Sequence, residues 1–226
     1  MPDRPERSPA AVIFDLDGTL VDAEVWWNEV REAWAADHDR DWTAADQAAV
    51  MGANSVGWGT IMRDRLDLDL PVDQIVDAIV GGVVERYRVR GAPRIAGAEE
   101  AVERLARAGM PLAVASSAHR AVIDAALGAL GIAGLFQAVV TSDQVAHGKP
   151  APDVYLLAAR ELAVDPADCL VVEDSFNGVL AGRAAGMTVV LIPNLAVPPA
   201  PGAREAASIV LDNLDQLDPL PRLPAA

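Results

Sequence analysis

Short apolar runs alternate with longer amphipathic segments along much of this chain. The runs are typical of strands buried on both faces, and they cover residues 11–14, 112–115, 138–141, 169–172 and 188–192. Between them, segments such as 98–108 and 122–130 have helical spacing and end at Gly109 and Gly131. This alternation predicts right-handed β-α-β units and one parallel sheet flanked by helices.

The pattern changes between the first and the second run. Helical spacing recurs there over 25–34, 44–50, 59–66 and 72–87, and all five tryptophans fall in this part of the chain. On the first segment, the face expected to be buried carries Val25, Trp26, Val30, Ala33 and Trp34. We therefore predict an inserted helical cap over residues 23–91 and an α/β core over residues 9–22 plus 92–226.

The two ends of the chain lack the regular alternation of apolar runs and helical segments seen in its centre. The first ten residues are polar and proline-containing, which predicts a flexible lead-in. Residues 208–211 predict a last edge strand, and the proline-rich end that follows is expected to be frayed.

The first apolar run ends in Asp15 and Asp17, followed by Gly18. Positions i and i+2 of an extended chain point to the same side, so the two carboxylates can share one substrate atom. Such a pair needs a cation between its charges, and an oxygen-only donor set favours Mg²⁺. Asp15 is then placed as a nucleophile and Asp17 as a general acid/base. Taken alone, the pair fits a helix cap or a turn equally well.

Three later segments bear on that choice. The second run ends in Ser116 and Ser117, whose hydroxyls can bind a phosphate oxygen or cap the next helix. Lys149 lies in a proline-bounded loop, where a held ammonium can offset the charge of a transferring phosphoryl group. The fourth run ends in Glu173 and Asp174, a second source of carboxylates for a metal.

Together these segments read DLDGT, VASS, GKPAPDVY and VVEDSFNGVLAGRAAGM. In order and spacing they resemble the motifs of the haloacid dehalogenase superfamily, subfamily I, in its β-phosphoglucomutase-like and small-molecule phosphatase group. The resemblance implies a Rossmann-like core with a helical cap.

The same resemblance implies roles for individual residues. Asp15 would be the nucleophile, Asp17 the general acid/base, and Ser116 and Lys149 phosphate ligands. Asp174 would hold Mg²⁺ together with the Asp15 carboxylate and the Asp17 backbone carbonyl. Glu173 is a further candidate, as a direct or water-mediated ligand.

The substrate is expected to contact residues from both parts of the chain. Trp27 and Trp58 either roof the pocket or pack inside the cap, whereas Trp26, Trp34 and Trp42 are expected to be packing residues. Arg120 begins a helix beside the predicted phosphate site and either binds a distal anion or is solvated. The full set of expected substrate-binding residues is Thr19, Ser116, Ser117, Lys149, Arg120, Trp27, Gly52 and Trp58.

The residues also distinguish between reactions. Asp17 favours phosphoryl transfer, because an alkyl halide leaving group needs no proton. Sugar phosphomutases of the β-phosphoglucomutase type have a histidine where this chain has Trp27, and basic residues around the glycine that corresponds to Gly52. Met51 precedes Gly52 here, so we predict a phosphatase, with a sugar phosphomutase as the alternative. A non-enzymatic binding module would have no need of both Asp15 and Asp17.

Composition restricts the partners. The chain has 226 residues and a formal net charge of −15, from 33 acidic and 18 basic residues. This charge argues against nucleic acid as a partner. The resemblance implies a small phosphorylated metabolite instead. The apolar stretches are too short to span a bilayer, and Cys169 has no second cysteine to pair with. We therefore expect a cytoplasmic monomer without a membrane partner.

Overall fold

A computed structural model describes residues 7–223 of the chain. Six strands form one parallel sheet in the order β3-β2-β1-β4-β5-β6. The strands are β1 (Ala11–Phe14), β2 (Leu112–Ser116), β3 (Ala138–Thr141), β4 (Cys169–Glu173), β5 (Thr188–Leu191) and β6 (Ile209–Val210). The predicted parallel sheet is confirmed, and β1 lies near its centre between β2 and β4.

Helices cover both faces of this sheet. Side chains of a strand alternate between the two faces, so Val12 and Phe14 enter one hydrophobic cluster while Ala11 and Ile13 enter the other. The helices of the core are α5 (Ala98–Arg107), α6 (Arg120–Leu130), α7 (Asp153–Glu161), α8 (Phe176–Ala184) and α9 (Ala203–Ala206). Helices on both faces of a parallel sheet make a Rossmann-like α/β fold, as predicted.

The segment between β1 and α5 is helical. It contains α1 (Glu24–Ala36), α2 (Ala44–Val50), α3 (Ser55–Arg65) and α4 (Val72–Arg90). The predicted buried face of α1 is only partly correct. Val30 is buried and Trp26 and Trp34 are half-buried, but Val25 is 56% exposed. The other buried positions are Trp27, Arg31 and Ala35. Successive residues of a helix point about 100° apart. The buried face of α1 is therefore rotated from the predicted one and includes Trp27 and Arg31.

The two chain crossings that lead into and out of these helices lie side by side. Val21 and Arg94 form an antiparallel bridge, and the Asp22 amide donates to the Pro93 carbonyl at 2.8 Å. A cap over residues 23–91 stays our prediction, and this bridge joins the chain just before and just after that segment.

The ends of the described chain also pair. Residues 1–6 of the predicted lead-in lie outside the described residues, but Arg7 and Leu223 exchange backbone hydrogen bonds of 3.1 and 2.8 Å. Leu223 is fully buried, so the expected fraying does not extend back to this residue. Across residues 7–223, no helix is both long and apolar enough to cross a membrane.

Candidate active site

The site lies where β1 and β4 end side by side. Asp15 follows β1, and its amide donates to the Val172 carbonyl of β4 at 2.9 Å. Lys149 reaches this edge from the loop before α7, and its Nζ donates to Asp15 Oδ1 at 2.5 Å and to Glu173 Oε1 at 2.7 Å. The topology therefore joins three of the predicted motifs in one ion-paired cluster.

Glu173 is completely buried beneath this cluster. Its Oε1 also accepts from the Tyr155 hydroxyl at 2.7 Å. Its Oε2 accepts from the Asp174 amide at 3.0 Å and from the Ser175 amide and hydroxyl, both at 2.9 Å. Burial would raise the pKa of Glu173, but the Lys149 charge and these hydrogen bonds outweigh burial and hold its pKa below the usual range. Glu173 is therefore an ionised anchor for Lys149.

Asp174 lies next to a position suited to a cation. Its Oδ1 is buried and has no hydrogen-bond partner among the described residues. Carboxylate oxygens of Asp15, Glu173 and Asp174 all lie within 4.8 Å of one another. Burial, followed by the charges of Glu173 and Asp15, raises the pKa of Asp174 well above its usual value. A hard cation would offset this repulsion, so the donor set fits Mg²⁺.

Gly18 keeps the space beside Asp174 open. Its φ is +90°, in the region that favours glycine, and an added Cβ would lie 2.0 Å from Asp174 Oδ2. The glycine of the first motif is therefore required both by its backbone angle and by the second acidic motif.

Asp17 connects the sheet edge to the helical insert. Its Oδ1 accepts a hydrogen bond of 2.9 Å from the Ala23 amide, immediately before α1. Burial, reinforced by the charge of Glu24, raises the pKa of Asp17 to about 8. Burial also raises the pKa of Asp15, to about 7, against the lowering effect of Lys149.

A cavity of about 310 Å³ opens between this cluster and the helical insert. From the sheet side it is lined by Asp15, Asp17, Ser116, Ser117, Lys149 and Asp174, and from the insert by Trp27, Gly52 and Trp58. Both tryptophans are at least nine-tenths buried. The structure thus brings together most of the residues that the sequence predicted for the site.

Three predicted site residues do not line this cavity. The Arg120 guanidinium donates to Asp124 at 2.8 Å and to the Val139 carbonyl at 3.4 Å, and its side chain is 54% exposed away from this cavity. Placing Arg120 in the pocket was therefore wrong, because the first turn of α6 directs it to an acid on its own helix. Thr19 is buried but does not line the cavity, and Glu173 lies behind Lys149.

The sequence reasoning missed other lining residues. Arg31 of α1 is only 5% exposed, and its guanidinium carbon lies 5.1 Å from the Trp27 ring centroid and 5.3 Å from that of Trp58. Its position four residues after Trp27, hence on the same helix face, was the available signal. The segment 194–200 also lines the cavity, and Asn194 Nδ2 donates to Asp22 Oδ1 at 3.1 Å.

The sequence of this chain is similar to those of known proteins. Residues 9–186 match the sequence profile of the haloacid dehalogenase-like hydrolases. The chain is 32% identical over 192 residues to the bifunctional riboflavin kinase/FMN phosphatase of Arabidopsis thaliana, covering 84% of this chain and 50% of that protein. It is 32% identical over 197 residues to the fructose-1-phosphate phosphatase YqaB of Escherichia coli, covering 80% of this chain and 95% of that protein.

A solved structure agrees with these sequence matches. CbbY from Rhodobacter sphaeroides, crystallised in complex with phosphate, superposes with a TM-score of 0.80 at 26% identity and covers 92% of this chain and 96% of that one. The chain belongs to the haloacid dehalogenase-like hydrolase family. Within that family it falls in the small-molecule phosphatase group and is a phosphoric monoester hydrolase.

Proposed function

We propose that this protein is a Mg²⁺-dependent phosphatase that hydrolyses a small sugar phosphate through an aspartyl-phosphate on Asp15. The observation that carries the proposal is the cluster of Asp15, Asp17, Lys149 and Asp174 at one end of a covered cavity. A simple ligand-binding site would need neither a nucleophile nor a proton donor beside it.

Asp15 would act as the nucleophile. Lys149 holds its Oδ1, so the other carboxylate oxygen attacks phosphorus while the bond from phosphorus to the ester oxygen breaks. Asp17 supplies a proton to that leaving oxygen, which suits a carboxyl whose pKa burial raises to about 8. Water then attacks the phosphorus of the aspartyl-phosphate, Asp17 takes a proton from the water, and the bond from phosphorus to the Asp15 oxygen breaks. This step releases inorganic phosphate and restores the Asp15 carboxylate.

The remaining residues would position the phosphoryl group. The Ser116 hydroxyl and the strand-end amides around Ser117 can donate to its oxygens, and the Lys149 ammonium offsets its charge. Asp15 and Asp174 would hold Mg²⁺ together with the Asp17 carbonyl, and the ion when bound would offset negative charge on the phosphoryl oxygens. Glu173 is better assigned to positioning Lys149 than to binding the metal directly, since protein donors already occupy both of its oxygens.

The substrate class follows from the cavity and the relatives. A cavity volume of about 310 Å³ suits a small metabolite, and the aromatic faces of Trp27 and Trp58 suit a sugar ring. Relatives are named as phosphatases of fructose 1-phosphate and of hexitols. These points support a sugar phosphate as substrate.

The alternative, a sugar phosphomutase, is less well supported. The cap loop has Met51 rather than a basic residue before Gly52, which argues against a mutase, but Arg31 of α1 also lines the cavity and has a positive charge. The preference for a phosphatase therefore rests on the relatives named as phosphatases. Analysis of the products separates the two reactions, as free phosphate or as an isomerised sugar phosphate.

The test is phosphate release from a panel of sugar, polyol and glycolytic phosphate esters, with Mg²⁺ and with a chelator. We expect turnover only with the metal, and a loss of at least about 10³-fold in Asp15→Asn. Asp69→Asn, which changes an exposed acid in the helical insert, is the matched control and should keep wild-type rates. Full activity with a chelator, or in Asp15→Asn, would overturn the mechanism.

A further inference from the structure

The helical side of the cavity contains a buried positive charge that makes no direct ion pair within the described part of the chain. Arg31 lines the cavity and is 5% exposed, and none of the ion pairs within residues 7–223 includes it. Its Nε is buried and has no hydrogen-bond partner in the same part of the chain. A buried charge is costly unless it is paired, so this position is incomplete without an anion.

The surroundings hold the guanidinium in place. Trp27 and Trp58 lie 6.1 Å apart between ring centroids, each in cation–π range of Arg31. Arg31 Nη1 donates to Gln47 Oε1 at 3.2 Å. Burial lowers the pKa of Arg31 to about 10, so it keeps its charge at neutral pH. The planar fork of donors is therefore oriented before any ligand arrives.

Glu24 is the acid on the same cavity wall that has the largest effect on the charge of Arg31. Gln47 separates the two, because its Nε2 donates to Glu24 Oε1 at 2.5 Å while its Oε1 accepts from Arg31. The charges of Glu24 and then of Asp17 act on Arg31 from a distance and favour its charged form, but neither acid forms an ion pair with it within residues 7–223. Compensation of Arg31 by the protein is therefore incomplete.

We propose that Arg31, held between Trp27 and Trp58, binds a second anionic group of the substrate, a carboxylate or a phosphate. This inference rests on the proposed phosphatase function and narrows its substrate class to metabolites with an anion at both ends. The reacting phosphoryl group lies against Asp15 and Lys149, and the second anion lies against the opposite wall. A neutral hydroxyl would not need a desolvated guanidinium, whereas an anion with two oxygens matches its fork.

The experiment compares ester pairs that differ in the second group. 3-Phosphoglycerate and glycerol 3-phosphate differ by a carboxylate, fructose 1,6-bisphosphate and fructose 1-phosphate differ by a phosphate, and p-nitrophenyl phosphate has no second anion. Wild type, Arg31→Gln and Arg31→Lys are compared on all five esters. We expect wild type to prefer the anionic member of at least one pair, and the pair preferred identifies carboxylate or phosphate.

Arg31→Gln should lower kcat/KM for that anionic ester by about 10- to 100-fold, mainly through KM, and leave p-nitrophenyl phosphate within about twofold. Arg31→Lys should lie between wild type and Arg31→Gln, because it keeps the charge without the fork. An equal loss on every ester would show a structural role and overturn the inference. If Arg31→Gln does not fold, the wild-type protein still tests the inference. A wild-type preference for glycerol 3-phosphate and fructose 1-phosphate over their more anionic counterparts would overturn it.

Failure of the proposed function has a different signature. It would appear as no turnover of any ester, p-nitrophenyl phosphate included. Tryptophan fluorescence of wild type, titrated with 3-phosphoglycerate and with glycerol 3-phosphate, then measures binding beside Trp27 and Trp58 directly. The same titration is made with fructose 1,6-bisphosphate and fructose 1-phosphate. Tighter binding of the anionic member in at least one pair supports the inference, and equal or weaker binding of the anionic member in both pairs overturns it.

Discussion

Glu173 is a charge with no access to solvent, and the reactive end of the cavity depends on it. The cost of burying a carboxylate is offset by Lys149 and by hydroxyl and amide donors around it. In return, Glu173 and Asp15 fix the Lys149 ammonium between them. A fully buried residue thus determines where the positive charge of the core wall lies.

Tyr155→Phe tests whether the Tyr155 hydroxyl helps to stabilise the buried Glu173 carboxylate. The change removes the hydroxyl that donates to Glu173 Oε1 and keeps the ring, which lies 4.8 Å from Lys149 Nζ. We expect the free energy of unfolding to fall by ~1–3 kcal/mol, because a buried acceptor loses a donor. Urea unfolding measures this loss, and steady-state kinetics should show a lower kcat with little change in KM.

The chain provides a matched control in its other tyrosine, Tyr87, which is also buried. Tyr87→Phe should change unfolding by less than ~0.5 kcal/mol and leave kcat unchanged. Equal effects of the two substitutions would mean that the hydroxyl of Tyr155 does not support Glu173.

At the scale of elements, α8 approaches β4 so closely that its first turn has no room for a side chain. A Cβ on Gly178 would lie 1.6 Å from Glu173 Oε1. The start of the helix is also fixed by Ser175, whose hydroxyl accepts from the Gly178 amide at 3.0 Å and donates to Glu173. The helix and the carboxylate are therefore positioned together.

Gly178→Ala should displace Glu173 and with it Lys149. We expect a loss of ~1–3 kcal/mol in stability from overpacking and a fall of at least about 10-fold in kcat/KM. Thermal unfolding and phosphate release measure the two effects.

Gly128→Ala is the control for this substitution. Gly128 lies in α6, is exposed, and nothing lies within 4 Å of an added Cβ. Alanine there should stabilise the protein by ~0.5–1 kcal/mol without affecting activity. Wild-type activity in Gly178→Ala would show that the helix can shift without moving the site.

At the scale of elements, some site residues could be placed from the sequence and others could not. Each strand and the residues just beyond it are consecutive in the chain, so Asp15, Ser116 and Asp174 could be placed at one sheet edge from the pattern alone. Arg31 could not, because its role depends on the rotation of α1 by one residue, which packing against the other helices determines. The return of segment 194–200 over the cavity likewise depends on tertiary contacts, such as that between Asn194 and Asp22.

At the scale of the whole molecule, the insert meets the core at a second point besides the paired crossings. The first residue of α3, Ser55, donates to the Asp143 carboxylate from its amide at 3.0 Å and from its hydroxyl at 2.7 Å. Asp143 follows β3 and lies on the core side. This contact ties the insert to the core away from the paired crossings, in addition to the packing of α4 against α6.

Loss of this contact should favour an open cavity. In Asp143→Ala we expect acrylamide to quench tryptophan fluorescence more strongly, since Trp27 and Trp58 line the cavity, and we expect KM to rise about 2- to 10-fold. Ser55→Ala should have a smaller effect, because the amide donor remains. The double variant should show coupling of about 1 kcal/mol, and strict additivity would contradict a direct contact.

The pairing of Val21 with Arg94 has a consequence for how such a protein can diversify. Because the chain leaves the sheet and returns to it through adjacent positions, the intervening helices have their two ends together, as a transplantable unit requires. An exchange of that unit would replace Trp27, Arg31 and Trp58 in one event and leave Asp15, Lys149 and Asp174 in register. The residues proposed to bind the substrate and the residues proposed to act on its phosphoryl group can therefore change independently. A change of substrate preference can then leave the reaction itself intact.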